Sequence, residues 1–363
     1  MSRLLFIRYK KSSQIFEGGE QCSQRNFNVY ARLLGEENIT TYYIHDETKR
    51  RSIKEYLTGV IFFPFNFFFG LTPRRVREIV RMAENYDYVH VDRSLFGIIA
   101  KKLRKKGYQG RIICFFHNVE SDYFDAKLPK KNPARAIVIR CVDKNDACCC
   151  KYADKVIALN ERDARILEKR YKRKPDILVP IAMRDTYIRE EYPKEMTSRR
   201  PHCLILGSYF PPNNEGIEWF AREVLPNVDI HLRVVGKGMG RLRENYSIPE
   251  EVEVIGDAPS LLPYFEQADI MVLPIFSGGG MKVKTCESLM YGKNILATDE
   301  ALEGYEVDDA QMGGRCNTRE EFIKALQSFI DSPRPRFNAY CRKVFLERYS
   351  EEVVLDKFRS VLQ

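Results

Sequence analysis

The sequence contains no hydrophobic run long enough to cross a bilayer. Its most apolar window, Val60 to Gly70 (VIFFPFNFFFG), is about half the length of a membrane span and holds a proline. The opening MSRLLFIRYKK has no apolar stretch of signal-peptide length, so a cytoplasmic protein is expected. Ten cysteines are present, yet no C-x-x-C pair and no cysteine–histidine cluster has zinc-site spacing. Cys148, Cys149 and Cys150 stand in a row, and reduced thiols are the plain expectation for such a chain. There is no repeat of 20–50 residues and no low-complexity tract, which argues against solenoids and linker-like chains. No DNA- or RNA-binding motif occurs, so nucleic acid is not an expected partner.

What is present is ordinary in bulk and uneven in distribution. The chain has 363 residues, 44% hydrophobic and 30% charged, long enough for two domains with separate cores. Residues 1–190 carry 38 Lys and Arg against 23 Asp and Glu, a net of +15. Residues 191–363 carry 21 against 27, a net of −6, which together give the overall +9. Such asymmetry predicts different partners for the two halves, the basic one suited to an anionic surface.

Apolar runs alternate with helical periodicity through both halves. Strands are predicted at Leu4–Ile7, Thr41–Ile44, Tyr88–Val91, Ile112–Phe116 and Val156–Leu159. Helices fit at Gln24–Leu34, Arg74–Asn85, Phe96–Lys106 and Ala134–Lys151, with Phe16-Glu17-Gly18-Gly19 read as a loop. The charged segment Arg184–Pro201 has neither period, and residues 186–200 are read as a linker between domains 1–185 and 201–335. Strands then resume at Cys203–Leu206, His231–Val235, Val252–Ile255, Ile270–Leu273 and Asn294–Ala297, with helices including Gly216–Val224 and Lys282–Met290. Residues 336–363 are expected to be helical and to return to the first domain. The rhythm implies an α/β protein with two Rossmann-like, doubly wound domains.

Ligands of such sheets bind where loops leave the carboxyl ends of strands. Strand Ile270–Leu273 runs into Ser277-Gly278-Gly279-Gly280, and Met281-Lys282-Val283-Lys284-Thr285-Cys286-Glu287 opens a helix. A glycine turn at a helix start aims bare N–H groups at an anion. Helix first turns favour acidic residues by roughly 0.3–1 kcal/mol per charge, and Lys282 and Lys284 oppose that preference. Solvated surface lysines are the plain alternative, but the glycines favour a phosphate. Glu287, one turn on, offers two acceptor oxygens suited to a vicinal diol such as a ribose.

The stretch from Asp269 to Val307 resembles the donor-binding signature of family 4 glycosyltransferases. That family carries an E-x7-E motif whose second glutamate falls on Glu287. The first falls on Gly279, so sugar recognition departs from the pattern. Leu206-Gly207-Ser208 through Gly216 resembles the family's first donor-domain loop, with Asn213 and Asn214 where many members have Arg and Lys. Val235-Gly236-Lys237-Gly238 resembles the next donor loop. Gly18 and Gly19 resemble the glycine loop after the first strand, although an ordinary turn fits equally well. His117, after strand Ile112–Phe116, resembles the active-site histidine, although lone histidines are more often structural. Asn160-Glu161-Arg162-Asp163 is a weaker candidate for the same end of the sheet.

The resemblance implies a GT-B fold with two domains facing a central cleft, and a retaining, polysaccharide-building enzyme. It places donor contacts at Gly279, Gly280, Met281 and Val283 besides the lysines and Glu287, with His117, Lys282 and Glu287 catalytic. The donor would be a UDP- or GDP-linked sugar. No acidic D-x-D-like element stands at the donor loop, so a metal is not required. The acceptor would be a saccharide carried on a lipid at an anionic membrane face. Two rival readings stay open: a nucleotide-sugar 2-epimerase of the same architecture, and a catalytically silent nucleotide- or glycan-binding protein.

Overall fold

A computed structural model describes residues 2–11, 18–46 and 61–363. The chain forms two compact units: Met1–Pro180 with Glu351–Gln363, and Ile181–Ser350.

Unit 1 is built on six strands: β1 Leu4–Lys11, β2 Ile39–Asp46, β3 Tyr88–Val91, β4 Arg111–Phe116, β5 Lys155–Ala158 and β6 Ile177–Leu178. They lie in the order β2-β1-β3-β4-β5-β6, every pairing parallel. Leu4–Ile7 and Ile112–Phe116 are buried throughout, as strands covered by helices on both faces must be. The chain order reverses between β1 and β3, where ligands of such sheets bind.

Unit 2 repeats the plan with β7 His202–Leu206, β8 His231–Gly236, β9 Glu253–Gly256, β10 Ile270–Leu273, β11 Asn294–Ala297 and β12 Gly313–Arg315. The order β12-β11-β10-β7-β8-β9 is the dinucleotide-fold order, again all parallel. Its reversal point lies between β7 and β10, so the loops after Leu206 and Leu273 flank the crevice where sheets of this kind bind ligands.

The structure departs from expectation in specific places. Two edge strands, β6 and β12, were not read from the sequence; they have two and three residues, too few to show a period. The first helix runs Gly18–Leu34, so Gly18 and Gly19 form its first turn rather than a loop. Phe16 and Glu17 of that predicted loop lie outside the described residues. Residues 186–200, expected as a linker, hold no named helix or strand and belong to unit 2. That segment is held by Arg342, which pairs with Asp185 and donates to the Tyr187 carbonyl at 3.1 Å. Of residues 336–363, only Glu351 onward belongs to unit 1. There the helix Glu351–Leu362 buries Val354, Phe358 and Val361, with Phe358 edge-on to Tyr30 at 5.0 Å.

Phe63, Phe67 and Phe68 of the aromatic window join the core of unit 1, while Phe65 is 65% exposed and Ile61 60%. Val60 lies outside the described residues. All ten cysteines are free thiols, nine of them buried. Among the described residues, no helix is long and apolar enough to cross a membrane.

Candidate functional site

In unit 2 the segments that follow β7 and β10, on either side of the reversal point, are tied together by Lys284. Gly280 turns the chain with φ 62°, a left-handed conformation that glycine adopts without a Cβ clash. The helix Val283–Met290 follows, with no side-chain cap and no acidic residue in its first turn. Lys284 Nζ donates to Asn213 Oδ1 at 2.7 Å, and Asn213 Nδ2 donates to the Ser208 carbonyl at 2.8 Å. Lys284 thereby links the first turn of the helix after β10 to the segment after β7. A Cβ on Gly207 would lie 3.3 Å from Lys284 Nζ and 3.1 Å from the Asn213 amide. Gly236 presses closer still: a Cβ there would meet the Gly207 carbonyl at 1.8 Å.

Lys282 turns the other way. Its Nζ donates to the Gly280 carbonyl at 2.8 Å and to Glu300 Oε1 at 2.6 Å, in the loop after β11. Tyr305 donates its hydroxyl to the Lys282 carbonyl at 2.7 Å and fixes the backbone at the helix start.

Burial pushes the Glu287 carboxyl up to about 7, with Lys284 opposing the rise. Burial also pulls Lys284 down to about 8, against the attraction of Glu287. Both charges are therefore held at a cost that a bound anion and its hydroxyls would relieve: an anion favours the ammonium, and hydroxyl donors favour the carboxylate.

Unit 1 gathers a second polar cluster at its own reversal point. Asp92, directly after β3, is fully buried and accepts from Asn26 Nδ2 at 2.9 Å and from the Ser23 hydroxyl. Two imidazoles face it: His90 Nε2 at 3.4 Å from Oδ1 and His117 Nε2 at 3.5 Å from Oδ2. Arg25 Nη2 reaches Cys22 Sγ at 3.3 Å. Burial opposes charge on His117, but the Cys22 sulfur and the Asp92 carboxylate outweigh it and raise the ring to about 9. Burial likewise opposes the Cys22 thiolate, yet His117 and Arg25 bring the thiol down to about 7.

The residues expected from the sequence thus fall into two sets. Gly207, Gly236, Gly280, Lys282, Lys284 and Glu287 converge in unit 2, while Ser208 and Lys237 contribute backbone and stay exposed. Met281 is a core side chain whose Sδ accepts from the Ile181 N–H at 3.4 Å. Gly279 and Val283 are partly buried in the same turn. In unit 1, Gly19 connects to His117 indirectly: the Ser23 hydroxyl, 3.0 Å from the Gly19 carbonyl, also reaches Asp92. Asn160 caps the next helix by accepting from the Asp163 N–H at 2.9 Å, which is a structural role. Asp92, Cys22 and Glu300 were missed. Asp92 follows a correctly predicted strand, so reading one residue further would have found it. Among the described residues, no group of three or more His, Cys, Asp or Glu is arranged to hold a metal.

Two parallel doubly wound units define the GT-B class of glycosyltransferases, and solved structures share this architecture. Anabaena HepE in complex with UDP aligns over 99% of both chains with TM-score 0.65 and 10% identity. A glycosyltransferase from Rickettsia africae ESF-5 aligns over 99% of this chain and 98% of its own, with TM-score 0.62 and 14% identity. An α,α-trehalose 6-phosphate synthase from Burkholderia multivorans covers 100% and 96%, with TM-score 0.59 and 13% identity. No curated protein sequence matches the chain. Family models do: Glycosyltransferase Family 4 over residues 30–181 and Glycosyl transferases group 1 over residues 200–332. Between them they span well over half of the chain, which belongs to the family 4 glycosyltransferases.

Proposed function

We propose that the protein moves a sugar from a UDP- or GDP-linked donor to a hydroxyl of a growing, lipid-linked glycan, with retention of anomeric configuration. The observation that carries the donor half is the Lys284–Asn213–Ser208 chain of hydrogen bonds across the reversal point of unit 2. It sets an ammonium and a bare helix N-terminus where a diphosphate would bind. HepE, of the same fold, has been captured with UDP and with UDP-glucose. As the glycosidic bond to the diphosphate breaks, negative charge grows on the leaving phosphate, and Lys282, Lys284 and the helix amides would stabilise it. Glu287 would hold the ribose diol, and His117 would meet the donor sugar. Retention follows from same-face attack, in which the leaving phosphate takes the acceptor proton. With two lysines and amides carrying the diphosphate charge, the reading requires no metal ion.

The acceptor half is supported by charge and by two exposed apolar side chains. Unit 1 presents Lys102, Lys105, Lys106, Lys130 and Lys131 to solvent, with Ile61 and Phe65 also exposed. A basic surface gains about 1 kcal/mol per Lys or Arg at an anionic leaflet, and exposed aromatics add insertion. Work at the cytoplasmic face of a membrane is therefore part of the proposal.

Turnover of UDP-glucose and GDP-mannose, with and without lipid-linked saccharide, tests this reading. Sugar transfer that depends on the acceptor, survives a chelator and keeps its anomeric configuration by NMR is the expected result. Donor consumption without an acceptor, or transfer restored only by added manganese or magnesium, would count against it. Flotation with anionic vesicles at low and high salt tests the membrane component, which fails if the protein never floats.

A further inference from the structure

A site that held only a diphosphate would gain from excess positive charge. This one also holds two carboxylates, Glu287 and Glu300, close to Lys284 and Lys282. The carboxylates sit on opposite flanks. Lys284 and Glu287 share one helix, with Lys284 reaching the loop after β7. Glu300 lies in the loop after β11, on the other side of β10 in the sheet order. Its Oε1 is 2.6 Å from Lys282 Nζ and would be 3.7 Å from a Cβ on Gly278, so the carboxylate stands at the glycine turn. Both partners are largely shielded, Lys282 11% and Glu300 20% exposed.

A carboxylate fixed beside a diphosphate repels it; the ion pair with Lys282 offsets part of that cost, and hydrogen-bond donors on the ligand at the same spot would offset the rest. A glycosyl group does, since its hydroxyls donate to a carboxylate with charge-assisted strength. We propose that Glu300 accepts hydrogen bonds from hydroxyls of the sugar carried on the diphosphate, and so sets donor-sugar specificity. Lys282 then has two tasks, charge for the diphosphate and the aiming of Glu300, while its backbone begins the phosphate-binding helix. This inference rests on the donor-site reading above and adds a role for a residue outside the glycine–lysine motif.

The test is calorimetric titration of wild type, Glu300→Ala and Glu300→Gln with UDP and UDP-glucose, and with GDP and GDP-mannose alongside. Thermal unfolding of each variant confirms the fold. Glu300→Ala should weaken nucleotide-sugar binding by roughly tenfold to a hundredfold, the value of a lost hydrogen bond to a charged group. Binding of the matching diphosphate should stay within about twofold or tighten as Lys282 is released. Glu300→Gln, which keeps an acceptor oxygen, should recover part of the sugar affinity. Equal weakening of diphosphate and nucleotide sugar by Glu300→Ala would overturn the proposal, since Glu300 would then serve only to place Lys282. Unchanged binding of both would overturn it as well. A wild-type protein that binds none of the four ligands contradicts the donor-site reading itself.

Discussion

At the scale of single residues, the chemistry lies in groups held away from their ordinary ionisation. His117 is raised to about 9 chiefly because Cys22 and Asp92 outweigh burial. Replacing Cys22 with Ala should therefore move the His117 midpoint down, which histidine-resolved NMR titration of a chain with five histidines can follow. A midpoint unmoved by Cys22→Ala would show that the thiol and imidazole are not coupled. The stability supplied by His117 is complete below its ordinary 6.5 and is lost as pH rises through about 9. Lys284 runs the opposite way: lowered from 10.5 to about 8, it makes the folded state gain stability as pH rises between those values. A diphosphate bound beside Lys284 would draw its pKa back up, so binding between pH 8 and 9 should take up protons. Calorimetry in buffers of different ionisation enthalpy measures that uptake, and Lys284→Ala should abolish it. Proton release in that range, or uptake that survives the substitution, would put the diphosphate elsewhere.

At the scale of elements, the predicted strands were legible because buried parallel strands are continuous apolar runs, as in Ile112–Phe116 and Ile270–Leu273. Gly18 and Gly19 misled because glycine usually marks a turn, yet here the helix begins on them and continues to Leu34. The glycine–lysine turn before Val283 was legible as a turn opening a helix, since the glycines stand together in sequence directly before a helical period. Asn213 and Glu300 were not assigned their contacts, because each meets its lysine only through the order of the strands, 71 and 18 residues away. Gly236 shows what that order demands. A Cβ would strike the Gly207 carbonyl at 1.8 Å, so the β7 and β8 ends must part to admit one. Gly236→Ala should lower stability by about 3 kcal/mol, at the high end for a single substitution. Urea unfolding measures it, and a midpoint equal to wild type would show that this approach is relaxed in solution.

At the scale of the whole molecule, the chain closes unit 1 with its own C-terminal helix. Glu351–Leu362 contributes three buried apolar side chains, and Arg32 is within 2.7 Å of Glu352. Lys357 Nζ and the Tyr88 hydroxyl add hydrogen bonds of 2.9 Å, to the Leu178 carbonyl and to the Leu362 carbonyl. Burying those side chains contributes roughly 1.5–3 kcal/mol each. Truncation after Ser350 should thus lower the unfolding temperature of unit 1 while unit 2 keeps its diphosphate affinity. Loss of both together would mean that the units do not fold independently.

The central claim, that unit 2 holds a nucleotide diphosphate between Lys282, Lys284 and the helix they open, is tested most directly by titrating UDP and GDP into wild type and the Lys282→Ala/Lys284→Ala double variant. The account predicts saturable binding of one diphosphate by wild type and a loss on the order of a hundredfold or more in the variant. A double variant that remains folded and binds that diphosphate as tightly as wild type would contradict it.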